Sequence, residues 1–288
     1  MAEISASTVM KLRKMSGQGM MDCKKALQEA DGDVDQAMEL LRKKGLATLA
    51  KRAARDTSEG TVVQWQSADG KAAALATVCC ETDFVAKSDD FRALAETISS
   101  YIAACEADEG AEGILQTVVD GKSFQELLTE TVSKTGEKTE VGDYTRYKLD
   151  GAGLFGIYVH FNGKVGSLLQ IDASDDQVAG AVVLKQAASD IAMHVTASKP
   201  LALDTDGLDP QTVAQEKAIY AEQMQNKPPE IIEKIVEGKM KKFYAENCLL
   251  HQPFVKDDSK TVEQVLADAA KQAGGEATIK RFVRLDVG

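Results

Sequence analysis

The spacing of apolar residues along this chain changes more than once, and each change marks a new structural unit. From residue 4 to residue 45 the period is helical and predicts three short helices. Ser5 or Ser7 is placed to cap the first, and Gly17 to end it. Cys23, Leu27 and Ala30 recur at i, i+4 and i+7 on the second. The third opens at Asp33, with Gln36 as a capping-box partner, and carries Val34, Ala37, Met38 and Leu41 on one stripe. Gly45, after a lysine-rich turn, predicts its end. Leu46 to Glu59 reads as a basic helical linker.

From Gly60 the pattern becomes that of strands. Thr61 to Gln66, the turn Ala68-Asp69-Gly70 and the return Ala72 to Cys80 predict a hairpin. A helix follows the Ser88 cap, with Phe91, Leu94, Ala95, Ile98 and Ile102 on one face. The same order recurs later: Leu154 to Phe161, the two-residue turn Asn162-Gly163, Lys164 to Asp172, then a long helix from about Asp175 to Ala197. The reading is an α+β fold with two similar hairpin-plus-helix core subdomains. Between them and the tail, two helical stretches flank the breaker Asn226-Lys227-Pro228-Pro229. Tyr220 and Met224 would face Ile232, Ile235, Val236 and Phe243 in an antiparallel helical hairpin that protrudes. The tail holds a strand at Phe254-Val255, a helix at Thr261 to Gln272 and a last strand from Thr278 to Val287. The expected divisions are a three-helix head (1–45), a helical linker (46–59), a first core subdomain (60–141), the start of a second (142–209), the hairpin insertion (210–245) and the return segment (246–288).

Composition narrows the class. The chain is 44% hydrophobic and 27% charged, values of a globular protein, but only 5% aromatic, so aliphatic side chains and alanine must fill the core. No apolar run approaches the roughly 18 residues of a membrane span. Met1-Ala2-Glu3-Ile4-Ser5 lacks the basic and apolar start of a signal peptide, so a cytoplasmic protein is expected. A net charge of −11 argues against a general nucleic-acid binder, which needs clustered cations. Residues 1–56 hold 11 basic against 8 acidic side chains and the rest 23 against 37, a mildly basic head on an acidic body, read as solvated helix faces.

Candidate chemistry is sparse. The five cysteines, Cys23, Cys79, Cys80, Cys105 and Cys248, form no C-x-x-C pair and read as reduced, buried side chains. His160, His194 and His251 have no metal-ligand spacing, and no phosphate-binding or dinucleotide fingerprint occurs. No metal, cofactor or enzymatic activity is expected. A thiol enzyme centred on Cys79 and Cys80 would need a nearby base, and none is visible. One segment stands out: Glu81-Thr82-Asp83-Phe84-Val85-Ala86 follows a strand and precedes a helix cap. Taken alone, it has two readings. Either Phe84 tucks into its own core while Asp83 caps a turn, or the loop presents both on a rigid base.

The same residues carry a family resemblance. Leu12-Arg13 with Ser16-Gly17-Gln18-Gly19-Met20-Met21-Asp22-Cys23-Lys24-Lys25-Ala26-Leu27 resembles the N-terminal signature of the elongation factor Ts family. Thr82-Asp83-Phe84-Val85-Ala86-Lys87 resembles its second signature. Ile191-Ala192-Met193-His194-Val195 with Ala197-Ser198-Lys199-Pro200, then Gln252-Pro253-Phe254-Val255 with Ser259-Lys260-Thr261-Val262, resemble two more, all in order. The resemblance implies a ubiquitin-associated-like head, two similar core subdomains and an inserted coiled-coil hairpin. It implies guanine-nucleotide exchange on the GTPase elongation factor Tu, with no direct contact to nucleic acid or membrane. Thr82, Asp83, Phe84 and Val85 would form the loop that dislocates magnesium. Arg13, Met20, Met21 and Lys24 would dock the head; Val165, Gly166, His194 and Val255 would make further contacts, with Lys256 beside them. The hairpin would touch the partner or a second copy of the chain. Thr77 and Cys79 stand where the family usually shows Glu and Asn, and the sequence ends at Gly288, where some members continue into a further helix. The competing reading is an adaptor that binds partners without exchanging nucleotide.

Overall fold

The computed structural model describes residues 4–223 and 228–288. Three helices form the head: α1 (Ala6–Ser16), α2 (Met20–Glu29) and α3 (Val34–Arg52). The Ser5 hydroxyl accepts the Thr8 N–H, and Gly17, at φ 68°, turns its N–H back to the Arg13 carbonyl. The Asp33 carboxylate accepts the Asp35 and Gln36 N–H groups, relieving two unpaired donors of α3. Leu12, Cys23, Leu27, Ala37 and Leu41 close a small apolar core between the three.

The first core half begins with the hairpin β1 (Glu59–Gln66) and β2 (Ala72–Cys80). The single turn α4 (Asp83–Ala86) and α5 (Asp89–Ala104) follow. Then come α6 (Ala111–Gln116), the small pair β3 (Val118–Val119) and β4 (Lys122–Ser123), α7 (Phe124–Thr135) and β5 (Thr139–Lys148). β5 pairs antiparallel with β2, giving the sheet order β1-β2-β5. It runs through residue 142 and stays in this sheet to Lys148, across the expected division at 141 and 142.

Two expectations about α3 and its linker are corrected here: the helix does not end at Gly45 but continues without a break to Arg52, and the helical linker expected over 46–59 is helical only that far, with β1 starting at Glu59. Gly45 is needed for another reason: a Cβ there would lie 2.9 Å from the Thr129 carbonyl oxygen, so only glycine lets α3 cross α7 this closely. Arg42 pairs with Glu126 beside the crossing, and the head is thereby packed on the core.

The second half repeats the plan with β6 (Gly153–Val159) and β7 (Val165–Ala173), followed by α8 (Asp176–Gly180) and α9 (Val182–Ser198). The turn is longer than two residues: β6 stops at Val159, and the His160 N–H still reaches the Val165 carbonyl around it. The expected long helix is broken at Ala181, whose extended backbone (ψ 133°) separates α8 from α9. The helices α10 (Pro210–Glu222) and α11 (Pro229–Asn247) pack together. Leu208 meets Cys248 at one end, and Lys239 lies over the Tyr220 ring further along, so the two run antiparallel. Met224, Asn226 and Lys227 of the expected turn lie outside the described residues. The chain returns through β8 (Pro253–Phe254), β9 (Asp257–Thr261), α12 (Val262–Ala273) and β10 (Ala277–Asp286), which completes the sheet β10-β7-β6.

The two sheets stack face to face with helices outside. Ala74, Ala76, Val78 and Cys80 of β2 face α5 and α7, whereas Ala73, Leu75 and Cys79 face Phe155, Leu168, Leu285 and Val287 of the second sheet. All nine residues of β2 are therefore buried, which explains a strand of alanine and other small residues with no polar face. On the far side Leu154, Leu169 and Ile171 pack on α9 and α12. Among the described residues, no helix is long and apolar enough to cross a membrane.

Candidate functional site

β2 ends at Cys80, and the next two residues are fixed by their side chains. The Glu81 carboxylate is 10% exposed and accepts the Lys138 N–H (2.6 Å), two contacts from the Arg52 guanidinium (2.7 and 2.8 Å) and one from Arg55 (2.9 Å). Burial opposes its ionisation, but the Lys138 N–H and the two guanidinium groups outweigh that and bring its pKa down to about 2. Thr82 donates its N–H and hydroxyl to the Glu137 carboxylate (3.1 and 2.9 Å) and caps α4 by accepting the Val85 N–H. Val85 is buried in the first core, so the turn is pinned from below.

On this base Phe84 is 81% exposed. Of the two readings open from the sequence, the ring tucked into its own core is overturned. The one-turn helix sends residue 85 inward and residue 84 outward. Asp83 beside it accepts the Lys87 ammonium at 2.7 Å, a hydrogen bond that lowers its pKa. A cleft of about 660 Å3 opens next to the turn, lined by Asp83, Lys87, Arg92, residues 59–64 of the β1 region, Asn162 and Lys164.

The other expected positions fall into two groups. Arg13 on α1 and Met20, Met21 and Lys24 on α2 are all exposed, because Leu12 and Cys23 take the inward positions between them. Met10 and Met15 are exposed on the same head, adaptable side chains suited to a binding surface. Val165 is half-buried, and Gly166 is buried between the sheets, where a Cβ would lie 3.0 Å from Val62. His194 is fully buried. Its Nδ1 accepts the Val255 N–H at 3.1 Å, which leaves the proton on Nε2 to be donated to the Gln252 carbonyl at 2.8 Å. Burial pushes its pKa down, against the Gln252 bond, which pulls it up. His194 thus holds the Gln252 to Val255 segment in place rather than touching solvent, while Val255 itself is half-exposed. Lys256 is tied to Asp190 at 2.7 Å.

Phe161, 91% exposed on the β6–β7 turn, was not singled out from the sequence. An aromatic inside the turn signal His160 to Gly163 was the available clue. Its neighbours Asn162 and Lys164 line the cleft beside Phe84. Glu137 was also unmarked, since its role appears only when α7 and β5 bring it under Thr82.

The cysteines offer no chemistry. All five are buried; burial raises the Cys79 pKa and, with Glu137 nearby, pushes Cys80 up to about 12, so neither forms a thiolate near neutral pH. Among the described residues, no three potential metal ligands cluster.

A solvent-facing aromatic on a pinned turn, a head with exposed methionines and a paired helical arm stand out on the surface. The family model for elongation factor TS matches residues 81–288. The elongation factor Ts of a Nitratiruptor species is 44% identical over 99% of this chain and 93% of its own length. That of Aquifex aeolicus is 40% identical over 99% and 98%, and that of Desulfovibrio desulfuricans is 38% identical over 100% and 99%. The chain belongs to the elongation factor Ts family.

Proposed function

We propose that this protein is the guanine-nucleotide exchange factor for elongation factor Tu in translation. The observation that carries this is Phe84: a large apolar ring held in solvent, on a turn anchored at Glu81, Thr82 and Val85. The head docks through Arg13, Met20, Met21 and Lys24. Phe84 then enters the GTPase as an apolar wedge, Asp83 makes polar contacts with the displaced geometry, and the elements holding magnesium shift. The metal and the nucleotide's phosphates lose contacts, and GDP leaves. No covalent step is required. The energetics are those of linkage: whatever free energy favours the complex with empty GTPase weakens GDP by the same amount, tenfold for each ~1.4 kcal/mol. GTP binding reverses the coupling and releases the factor. Val255, positioned by His194, and the β6–β7 turn supply the second core contact.

The helical arm supports a second contact of its own. A groove along α10 and α11 has an apolar floor of Ala221, Ile232, Val236 and Met240. Glu233 and Glu237 lie nearer the start of α11, and Lys217 and Lys241 nearer its root. Two copies laid antiparallel would match acid to base, so we assign the groove to self-association.

The test of exchange is release of fluorescent GDP from elongation factor Tu, chased with excess unlabelled GDP, at rising concentrations of this protein. A rate that climbs and saturates is expected. Binding without acceleration would replace this reading with the adaptor.

A further inference from the structure

The Glu81 carboxylate occupies an unusual place: it is nearly buried at the root of an exposed turn, and beside the Lys138 N–H of its own core half it is held by two arginines from the end of the head helix and just beyond it. Arg52 is the last residue of α3, the helix that begins inside the head at Val34. Arg55 lies three residues beyond it, and the Lys138 ammonium donates to the Arg55 carbonyl at 3.0 Å while pairing with Glu140 at 3.0 Å. α3 is continuous from the head core to this point and is gripped midway where Gly45 crosses α7. Its near end packs through Ala37 and Leu41 on α1 and α2, which carry the head's docking residues, and its far end is bonded to the residue just before Thr82.

We propose that Glu81, with Arg52 and Arg55, is a positioning site that ties the head helix to the root of the Phe84 turn, so that the head surface and Phe84 meet the GTPase as one preset two-point contact. This rests on the exchange reading for what the two points touch. The physical gain is effective concentration: once the head has docked, a turn already at the right place and angle binds as an intramolecular partner. Glu81 touches neither nucleotide nor metal in this scheme and acts only through Phe84. Arg52 Nη1 spans both carboxylate oxygens and Arg55 Nη1 reaches one of them, so two guanidinium groups from the end of α3 converge on a single carboxylate.

The test is the full-length R52A/R55A variant. Amide hydrogen exchange at Ala86 and Lys87, whose N–H groups close the α4 turn, and at the end of α3 is expected to speed up together by roughly tenfold, with α7 unchanged. In GDP release, the half-saturating concentration is expected to rise roughly tenfold while the saturating rate holds. R52K should recover part of the loss. Unchanged exchange at Ala86 and Lys87, an unchanged concentration dependence, or a fall in saturating rate together with the melting temperature would each overturn the positioning role. Failure of the wild-type protein to accelerate GDP release would instead remove the exchange reading, and the hydrogen-exchange result would still decide whether the tie exists.

Discussion

Replacing Phe84 by alanine tests the wedge most directly. Burying a phenylalanine side chain is worth about 1.5–3 kcal/mol, and here 81% of the residue is still exposed, so most of that remains to be gained on docking. The expected loss is therefore about 1–2.5 kcal/mol, roughly 5- to 60-fold in rate or affinity. The fold should not notice: the anchoring falls to Val85, Thr82 and Glu81, and an exposed substitution of this kind changes stability by less than about 0.5 kcal/mol. Fluorescent-GDP release measured to saturation separates the two places where the loss could appear. If Phe84 acts after the head has docked, the saturating rate falls and the half-saturating concentration moves little. Phe84→Leu should keep part of the rate, because its side chain is apolar but smaller. A variant with unaltered melting temperature and wild-type release would refute the wedge. A variant that melts earlier would show that the ring supports its own core, contrary to its exposure.

Other expectations follow from the charged and buried groups. The Glu81 pKa falls from the ordinary 4.5 to about 2, so its contribution to stability is complete above pH 4.5 and is lost as pH drops from there toward 2. That shift amounts to about 3 kcal/mol, and acid unfolding of Glu81→Gln should lack the corresponding slope between pH 4.5 and 2 when set against wild type. For His194, a depressed pKa means that the unfolded chain takes up the proton first. Stability should be level above about pH 6.5 and decline below it, and His194→Asn should flatten that decline in urea titrations from about pH 5 to 7.5. The same variant should speed hydrogen exchange at the Val255 N–H, which His194 accepts. In the helical arm, K217E/K241E and E233K/E237K should each sediment as monomers and associate when mixed; two variants that both self-associate like wild type would remove the arm as a dimer contact.

Much of the architecture was legible because the period of the apolar pattern changes where the fold changes. The head, both hairpins, the α5 face and α12 were readable from spacing and caps, and the structure adds a Thr261–Gln264 capping box to α12. The segment from 105 to 141 was not, although Ser123 and Glu126 form a capping box and Gly136 ends α7 in the left-handed conformation. Both signals were present, without a neighbouring strand pattern to draw attention to them. Gly45 misled for a physical reason: a glycine after lysines suits a helix end, but it also suits a close crossing, and only the partner helix distinguishes the two. At the site, exposure is what sequence could not supply. Phe84 and Phe91 are both phenylalanines near a helix start, and one is 81% exposed while the other is 1% exposed. His194 was readable as functional only through the resemblance, and its burial recasts it as a support for Val255.

The anchoring around Phe84 matters more than the ring itself, and a comparison of magnitudes shows why. A free loop that ordered only on meeting its partner would give up about 1–2 kcal/mol of backbone entropy for each residue fixed. For the five residues from Glu81 to Val85 that is about 5–10 kcal/mol, more than the ~1.5–3 kcal/mol that burying one phenylalanine returns. A wedge on a floppy loop would therefore fail, however apolar its tip. Here the ordering is already done within the fold, by the Glu81 contacts to Arg52, Arg55 and Lys138, by Thr82 on Glu137, and by Val85 in the core. What Phe84 gains on docking is then available to act on the partner. It follows that breaking the Thr82 cap that shapes α4 from within, with Phe84 and the Arg52 and Arg55 tie untouched, should cost at least as much exchange activity as removing the ring. Thr82→Val with Glu137→Gln, which breaks the cap but keeps Phe84, is expected to lower the GDP-release rate by as much as Phe84→Ala or more; a smaller effect would mean that the turn holds its shape without them.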